Sequence, residues 1–196
     1  MHTRHTTHTM SQQTTYTASS EVIMLQGVTN QILTALLKDF TGVPYESDYS
    51  YSRVLATMKR IVHDLAIKHQ YLYLECIRKL TPEMCVCGDV LRQIAVQTFS
   101  DGISWPRIMS LLSFYAVMCK HLITDKMHDS SIVTVVAQEI VVYLTNHHHK
   151  WFISNNSWAG VVDYFNPGPT VDENVGLCNI LIILAMCIHV IYTINL

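Results

Sequence analysis

The stretch FSDGISWPRIMSLLSFYAVMCKHLI, residues 99–123, decides the fold that this sequence predicts. From Ile108 to Cys119, apolar side chains surround the whole circumference of the predicted helix, which is typical of a helix buried on every side. This uncharged run is only 12 residues long, and crossing a bilayer takes ~20. We therefore expect a central core helix. Arg107, a single cation at its entrance, needs an explanation.

The residues before the central helix form a turn and a helix start. Asp101-Gly102 is predicted to end the preceding helix, because glycine suits a left-handed C-terminal cap. Ser104 is a good N-cap residue, and proline is tolerated in the first helical turn, where Pro106 stands.

Amphipathic helices are predicted on the N-terminal side of this turn. Ser20 is the predicted N-cap of the first, whose apolar stripe follows steps of three and four residues: Val22, Leu25, Val28, Ile32, Leu36 and Phe40. A second helix is predicted over residues 53–69, and YLYLECIRKL, residues 71–80, is predicted to continue helically after a bend or break around Gln70. A third begins at Thr81, the predicted N-cap, with Pro82 and Glu83 favourably placed in the first turn, and runs through Phe99. The pattern predicts an all-α fold.

The segment after the central helix, SSIVTVVAQEIVVYLTN, residues 130–146, is predicted to be helical. It is rich in β-branched residues, so a strand is the alternative. HHHKWFI and NSWAGVVDYF are predicted to form two further short helical pieces.

The two ends of the chain differ from the predicted bundle of residues 20–166. Residues 1–19 are almost wholly polar, and we expect a flexible tail. Residues 167–174 read as a linker. Residues 175–196 carry no charged side chain and have the length of one bilayer crossing. We expect a C-terminal transmembrane tail anchor, with a buried terminal core helix as the alternative.

Composition and motifs argue against several functions. The formal net charge is −2 and no Lys/Arg cluster exceeds a pair, so we expect no nucleic-acid partner. No phosphate loop, HExxH motif or GxSxG elbow occurs, and we expect neither enzyme activity nor a cofactor. The six scattered cysteines suggest reduced thiols. Cys85-Val86-Cys87 and the histidine clusters are weak metal-site patterns, because no second cysteine pair or well-spaced carboxylate accompanies them.

Two motifs carry a resemblance to a known family. FSDGISWPRIMSLLSF resembles the first homology motif of the Bcl-2 family of apoptosis regulators, close to Phe-x-Asp-Gly-x-Asn-Trp-Gly-Arg-Ile. KWFISNNSWAGVVDYF resembles the second, a Trp-Ile-x-x-Asn segment followed by Gly-Gly-Trp and an aromatic residue. The resemblance implies a Bcl-2-like helical bundle around a central hydrophobic helix. It also implies a surface groove that receives the amphipathic BH3 helix of a pro-apoptotic partner.

The resemblance also implies roles for individual residues. Arg107 matches the groove arginine that pairs with the BH3 aspartate, and an internal pair with Asp101 is the alternative. Apolar positions that match or border the groove are Val62 and Leu65 in the second helix, Ile94 before the first motif, Phe114 in the central helix, and Val161 and Phe165 after the second motif. Ser104 stands where the family has Asn. Pro106 stands where it has Gly, so its ring is expected to crowd a ligand.

The segment that resembles the family's own BH3 motif is degenerate. In LATMKRIVHDL, Lys59-Arg60 replaces the expected Gly-Asp. This departure favours a pro-survival protein, similar to virus-encoded members of the family, that sequesters BH3 helices of Bim-, Bax- and Bak-like proteins. We expect a cytosol-facing protein anchored in the outer mitochondrial membrane or, alternatively, the ER membrane, and a homodimer is left open. A Bax-like membrane-permeabilising protein and a membrane-anchored helical adaptor outside the family are the functional alternatives.

Overall fold

Seven α-helices form the fold. The computed structural model describes the backbone of residues 6–46 and 49–166, and the side chains of residues 20–46 and 50–166. A 3₁₀ turn, Tyr49–Tyr51, precedes the second helix. The helices are α1 Thr6–Thr41, α2 Ser52–Ile77, α3 Pro82–Val86, α4 Gly88–Thr98, α5 Trp105–Thr124, α6 Ile132–Ser154 and α7 Ala159–Phe165. No strand occurs in these described ranges, so the all-α prediction is confirmed and the strand alternative for residues 130–146 is wrong.

The predicted central helix is α5. Fifteen of its 20 residues are buried, in agreement with apolar side chains all around its circumference. Ser104 is its N-cap residue in an extended backbone conformation, and Pro106 lies in its first turn. Helix α2 packs along α5, while α1 packs against both α5 and α6. Buried side chains from all the helices form one hydrophobic core.

Helix α1 is longer than the sequence pattern predicts. Its stripe of Leu25, Ile32 and Leu36 is buried as expected. The cap predicted at Ser20 is wrong, because the backbone is already helical from Thr6. Residues 6–19, where a flexible tail was predicted, continue the helix. Extending an existing helix needs no new nucleus, so weak helix formers can be added to a stable stretch.

Three further boundaries differ from those predicted. The break expected around Gln70 is wrong, because α2 continues to Ile77 and its later turns are buried against the core. The third predicted helix is divided at Cys87, whose extended backbone separates α3 from α4. HHHKWFI belongs to the end of α6 rather than to a separate piece. The predicted cap at Thr81 is confirmed, since its side chain accepts a hydrogen bond from the Met84 N–H.

An aromatic cluster joins the start of α5 to the end of α6 and the start of α7. The Trp105 ring centroid lies 5.0 Å from that of Trp151 and 5.8 Å from that of Trp158. The Trp158 indole donates a 2.8 Å hydrogen bond to the Thr29 hydroxyl of α1. Gly160 lets α7 pass close to the preceding chain, because a Cβ there would lie 2.0 Å from the Asn155 carbonyl oxygen. Trp151, Trp158 and Gly160 of the second motif therefore serve packing.

Within the described residues, no helix is long and apolar enough to cross a membrane. The linker predicted over residues 167–174 and the anchor predicted over residues 175–196 lie outside these residues.

Candidate functional site

The turn before α5 fixes the position of the candidate site. Gly102 has φ +104°, a left-handed conformation that favours glycine, and its N–H donates to the Phe99 carbonyl. Ser104 then starts α5, although its side chain makes no capping hydrogen bond. Ser104 is half-buried. Arg107 follows in the first turn of α5, and its side chain reaches back to the Gly102 carbonyl.

Arg107 is held by this turn in a partly exposed position. Its Nη1 donates a 2.5 Å hydrogen bond to the Gly102 carbonyl, and its Nη2 lies 3.5 Å from a carboxylate oxygen of Asp101. The Arg107 side chain is 19% exposed, whereas that of Asp101 is 70% exposed. The internal pair is therefore present, but it is a loose pair in which Asp101 is largely hydrated, a kind that contributes little to stability. A better-placed carboxylate would compete well for this guanidinium.

The apolar positions expected to line the groove are in or against the core. Val62, Ile94, Phe114 and Val161 are each fully buried. Leu65 and Phe165 are half-buried and pack against the core. The helices α2, α4, α5 and α7 thus supply these residues as the resemblance implies, but the four buried side chains do not face an open surface. A ligand would reach them only after the helices separate.

Two hydrogen bonds join the helices around these positions. The Ser113 hydroxyl of α5 donates to the Val62 carbonyl of α2, at 3.2 Å. The Tyr115 hydroxyl donates to the Leu91 carbonyl of α4, at 2.6 Å, one turn before Ile94. Both bonds are buried, so α5 fixes α2 on one side and α4 on the other.

The face of α2 that carries Val62 forms one wall of the candidate site, and His69 and Tyr73 also belong to this wall. Both are buried, and they follow Val62 on the same face of the helix. The Tyr73 ring contacts that of Phe114 edge-on, with centroids 5.7 Å apart. The sequence carried the signal, because residues 62, 66, 69 and 73 are separated by three or four positions. The expectation of a break at Gln70 ended the predicted stripe too early.

Burial shifts the pKa values of both His69 and Tyr73. Desolvation, with a smaller effect of Lys68, lowers the pKa of His69, and its Nε2 atom is buried without a hydrogen-bond partner. Desolvation also raises the pKa of Tyr73 to about 12. Both side chains are therefore neutral near pH 7 and present an apolar wall with polar edges.

Pro106 is buried, so its ring packs within the protein in this conformation and does not project from the surface. The crowding of a ligand expected from this residue would require the buried ring to become accessible. Its place in the first turn of α5 costs no helical hydrogen bond, because the N–H groups of that turn have no intrahelical partner.

The weak metal-site patterns find no support among the described residues. No group of three or more His, Cys, Asp or Glu side chains there is arranged to hold a metal ion. The described cysteines, Cys76, Cys85, Cys87 and Cys119, are free thiols. Burial raises the pKa of both Cys85 and Cys119 to about 12, so these thiols are protonated and unreactive.

Solved structures share this arrangement of helices. A zebra-fish pro-survival protein, NRZ, in its apo form aligns with a TM-score of 0.62 at 17% identity, over 74% of this chain and 95% of that one. NRZ in complex with a Bad BH3 peptide aligns with a TM-score of 0.61 at 16% identity, over 74% and 99% of the two chains. At these identities the likeness shows the fold alone.

Sequence comparisons give the family. Apoptosis regulator Bcl-2 of the dog is 25% identical over 111 residues, which are 57% of this chain and 46% of that protein. Bcl-2-like protein 1 of the rat is 21% identical over 126 residues, 62% of this chain and 53% of that protein. The chain thus spans about half the length of the curated relatives it matches. The family model for apoptosis regulator proteins of the Bcl-2 family matches residues 58–158, half of the chain, and with the fold and both motifs this shows that the chain belongs to the Bcl-2 family.

Proposed function

We propose that this protein is a pro-survival member of the family that sequesters BH3 helices of pro-apoptotic Bim-, Bax- and Bak-like proteins. The observation that carries the proposal is Arg107. It is a partly exposed guanidinium at the entrance of an apolar helix. Within the described residues, its only carboxylate partner is the largely hydrated Asp101, at 3.5 Å. A BH3 aspartate would supply a second carboxylate with bidentate geometry.

The N-terminal part of α2 supports a receptor rather than a donor of a BH3 helix. Where the family's BH3 motif has Gly-Asp, Lys59 donates a 2.7 Å hydrogen bond to Asp39 of α1 and a 2.9 Å bond to the Tyr45 hydroxyl. Partial burial acts to lower the pKa of Lys59, but these two partners raise it above its usual value. The segment therefore lacks the acid that a BH3 ligand needs, and it is tied to α1.

Binding of a BH3 helix requires the helices that cover these apolar residues to separate. Val62, Ile94, Phe114 and Val161 have no exposed surface, whereas a BH3 helix places apolar side chains against such residues. The ligand must therefore separate α2 and α4 from α5, and the cost of that separation reduces the observed affinity.

Membrane attachment is part of the proposal. Residues 175–196 would anchor the bundle, facing the cytosol, in the outer mitochondrial membrane or the ER membrane. The degenerate BH3 segment and the short first loop favour a virus-encoded protein. The alternative of an adaptor outside the family is wrong, because the chain belongs to the Bcl-2 family.

A double-mutant cycle tests the role of Arg107. Isothermal titration of a Bim BH3 peptide into the wild type, Arg107→Ala and Arg107→Lys is repeated with a peptide whose aspartate is replaced by Ala. A charge-assisted hydrogen bond contributes about 1.5–3 kcal/mol, so Arg107→Ala should weaken binding about 10- to 150-fold. Arg107→Lys should fall between, because it keeps the charge and loses the bidentate geometry.

The matched controls separate this effect from general damage. Arg78→Ala removes an exposed guanidinium that pairs with Glu75 at the end of α2, and it should leave affinity within about twofold. Asp101→Asn should tighten binding, because it removes the competing carboxylate. If the aspartate-free peptide loses as much affinity on Arg107→Ala as the native peptide does, the two charges are not coupled and the assigned pairing is wrong.

A further inference from the structure

A groove lies at the end of α5 remote from Arg107. Its larger depression, of about 380 Å³, lies among α1, α2 and α5, with Phe40, Ile67, Leu74 and Val117 in its walls. A second depression, of about 250 Å³, lies between α1 and α2 and shares Phe40 and His63 with the first. We call the two together the rear groove.

Most of the rear groove lies away from the candidate BH3 site. Lys120, which lines it, follows Arg107 by 13 residues along α5, or about 20 Å at the rise of an α-helix. On α2, the larger depression is lined by residues 63, 66, 67, 70 and 74, whereas the candidate site uses residues 62, 65, 69 and 73. The second depression also reaches Val62, so the two sites are offset around α2 and meet at this residue. One residue of offset turns the face by about 100°.

Apolar surface extends from the rear groove onto the outer face of α2. Ile67 is 68% exposed at the rim, and Tyr71, one turn later, is 73% exposed. Large apolar side chains that border an apolar depression are typical of an interaction surface rather than of a site for a small ligand alone. Residues 60–74 of α2 extend along the groove for about 21 Å, the length of four helical turns.

The unpaired charges at this groove are cationic. Of the acids that line it, Asp39 pairs with Lys59 at 2.7 Å, and a carboxylate oxygen of Asp125 lies within hydrogen-bond distance, 3.3 Å, of the His121 Nδ1 atom. Lys120 lies over the Phe40 ring, 5.4 Å from its centroid, and makes no ion pair within the described residues. Arg60, which lines the second depression, is exposed and likewise has no acidic partner there.

We propose that the rear groove binds an amphipathic helix of a partner protein, with its apolar face against Phe40, Ile67 and Leu74 and an acidic residue at Lys120 or Arg60. The elongated shape matches a helix of about four turns, and an acid pairs with the cations that the protein leaves unpaired. The rim residues Ile67 and Tyr71 supply contact area outside the cavity, which a small amphiphile would leave uncovered.

The test is a selection from a displayed library of amphipathic 20-residue helices, with leucine fixed on one face and all other positions varied, against the full 196-residue chain. Binders are then measured on Ile67→Asp, Lys120→Glu and Arg107→Glu. We expect a class of binders enriched in Asp and Glu that loses at least tenfold in affinity on each of the first two variants and is unchanged on Arg107→Glu. Replacing the acid of such a binder by Lys should restore binding to Lys120→Glu.

Matched controls and counter-results make the test decisive. Ile153→Asp and Lys150→Glu repeat the two changes at exposed positions of α6, outside the groove, and should leave this class unaffected. Binders that depend only on Arg107, or none sensitive to Ile67 and Lys120, would overturn the proposal. Sedimentation showing a dimer that Ile67→Asp dissociates would overturn it in favour of a second copy. Saturable binding of dodecanoate, abolished by Lys120→Glu with no helix selected, would overturn it in favour of a small amphiphile.

Discussion

Gly160→Ala should destabilise the protein severely, because α7 passes too close to the end of α6 for any side chain. The new Cβ would lie 2.0 Å from the Asn155 carbonyl oxygen and 3.0 Å from the Trp105 ring, whereas real Cβ contacts stay beyond 3.0 Å. The Asn155 oxygen is a backbone atom, so relief requires at least 1 Å of movement between α7 and α6. That movement opens the tryptophan cluster. Overpacking of this kind costs about 3 kcal/mol, or about 6–12 °C in Tm for a chain of this size.

Thermal unfolding followed by far-UV circular dichroism measures this cost, with Gly27→Ala as the matched control. Gly27 is exposed within α1, and a Cβ there would meet nothing within 4 Å. Alanine is the better helix former by about 0.5–1 kcal/mol, so this variant should unfold slightly above the wild type. If Gly160→Ala unfolds within about 1 °C of Gly27→Ala, the close approach of α7 does not exist and the reasoning fails.

Two further predictions concern buried polar groups. Thr29→Val should cost about 1–3 kcal/mol, because it leaves the Trp158 indole N–H buried without an acceptor. Chemical denaturation checks this against Thr57→Val, at a half-buried threonine of α2, and equal losses of stability in the two variants would contradict it. His69 has a folded pKa below its unfolded value of about 6.5, so protonation favours the unfolded chain and stability is lost as the pH falls below about 6.5. His69→Leu should therefore reduce the fall in Tm between about pH 7.5 and 5.5. Parallel curves for His69→Leu and the wild type would refute the burial of a neutral imidazole.

Local chemistry made much of the fold predictable from sequence. An apolar run without a polar face predicted α5, and the cap chemistry of Thr81 predicted the start of α3. The boundaries that were missed depend on tertiary packing. Helix α2 continues past Gln70 because Tyr73, Cys76 and Ile77 are buried in the core. The spacing of residues 62, 66, 69 and 73 indicates this continuation, whereas the residues next to Gln70 alone do not.

The residues of the candidate site were predictable from the sequence, but their pairing and their burial were not. Arg107 lies at the entrance of α5 as the motif implies, yet the sequence left its pairing with Asp101 as an alternative, and the structure contains that pair. An apolar side chain such as Val62 or Phe114 suits the wall of a groove and the interior of a core equally well. The sequence therefore does not distinguish the two environments. The rear groove was not predictable, because Phe40, Ile67 and Lys120 lie on three different helices.

The central claim is that the chain protects cells by sequestering BH3 helices, and release of cytochrome c from isolated mitochondria tests it most directly. Mitochondria are exposed to Bax activated by a Bim BH3 peptide, with increasing amounts of the full chain. We predict that release falls to the background level at about one chain per BH3 helix, and that Arg107→Glu protects far less. Release caused by the chain alone, without Bax or peptide, would contradict the claim and identify a Bax-like membrane-permeabilising protein.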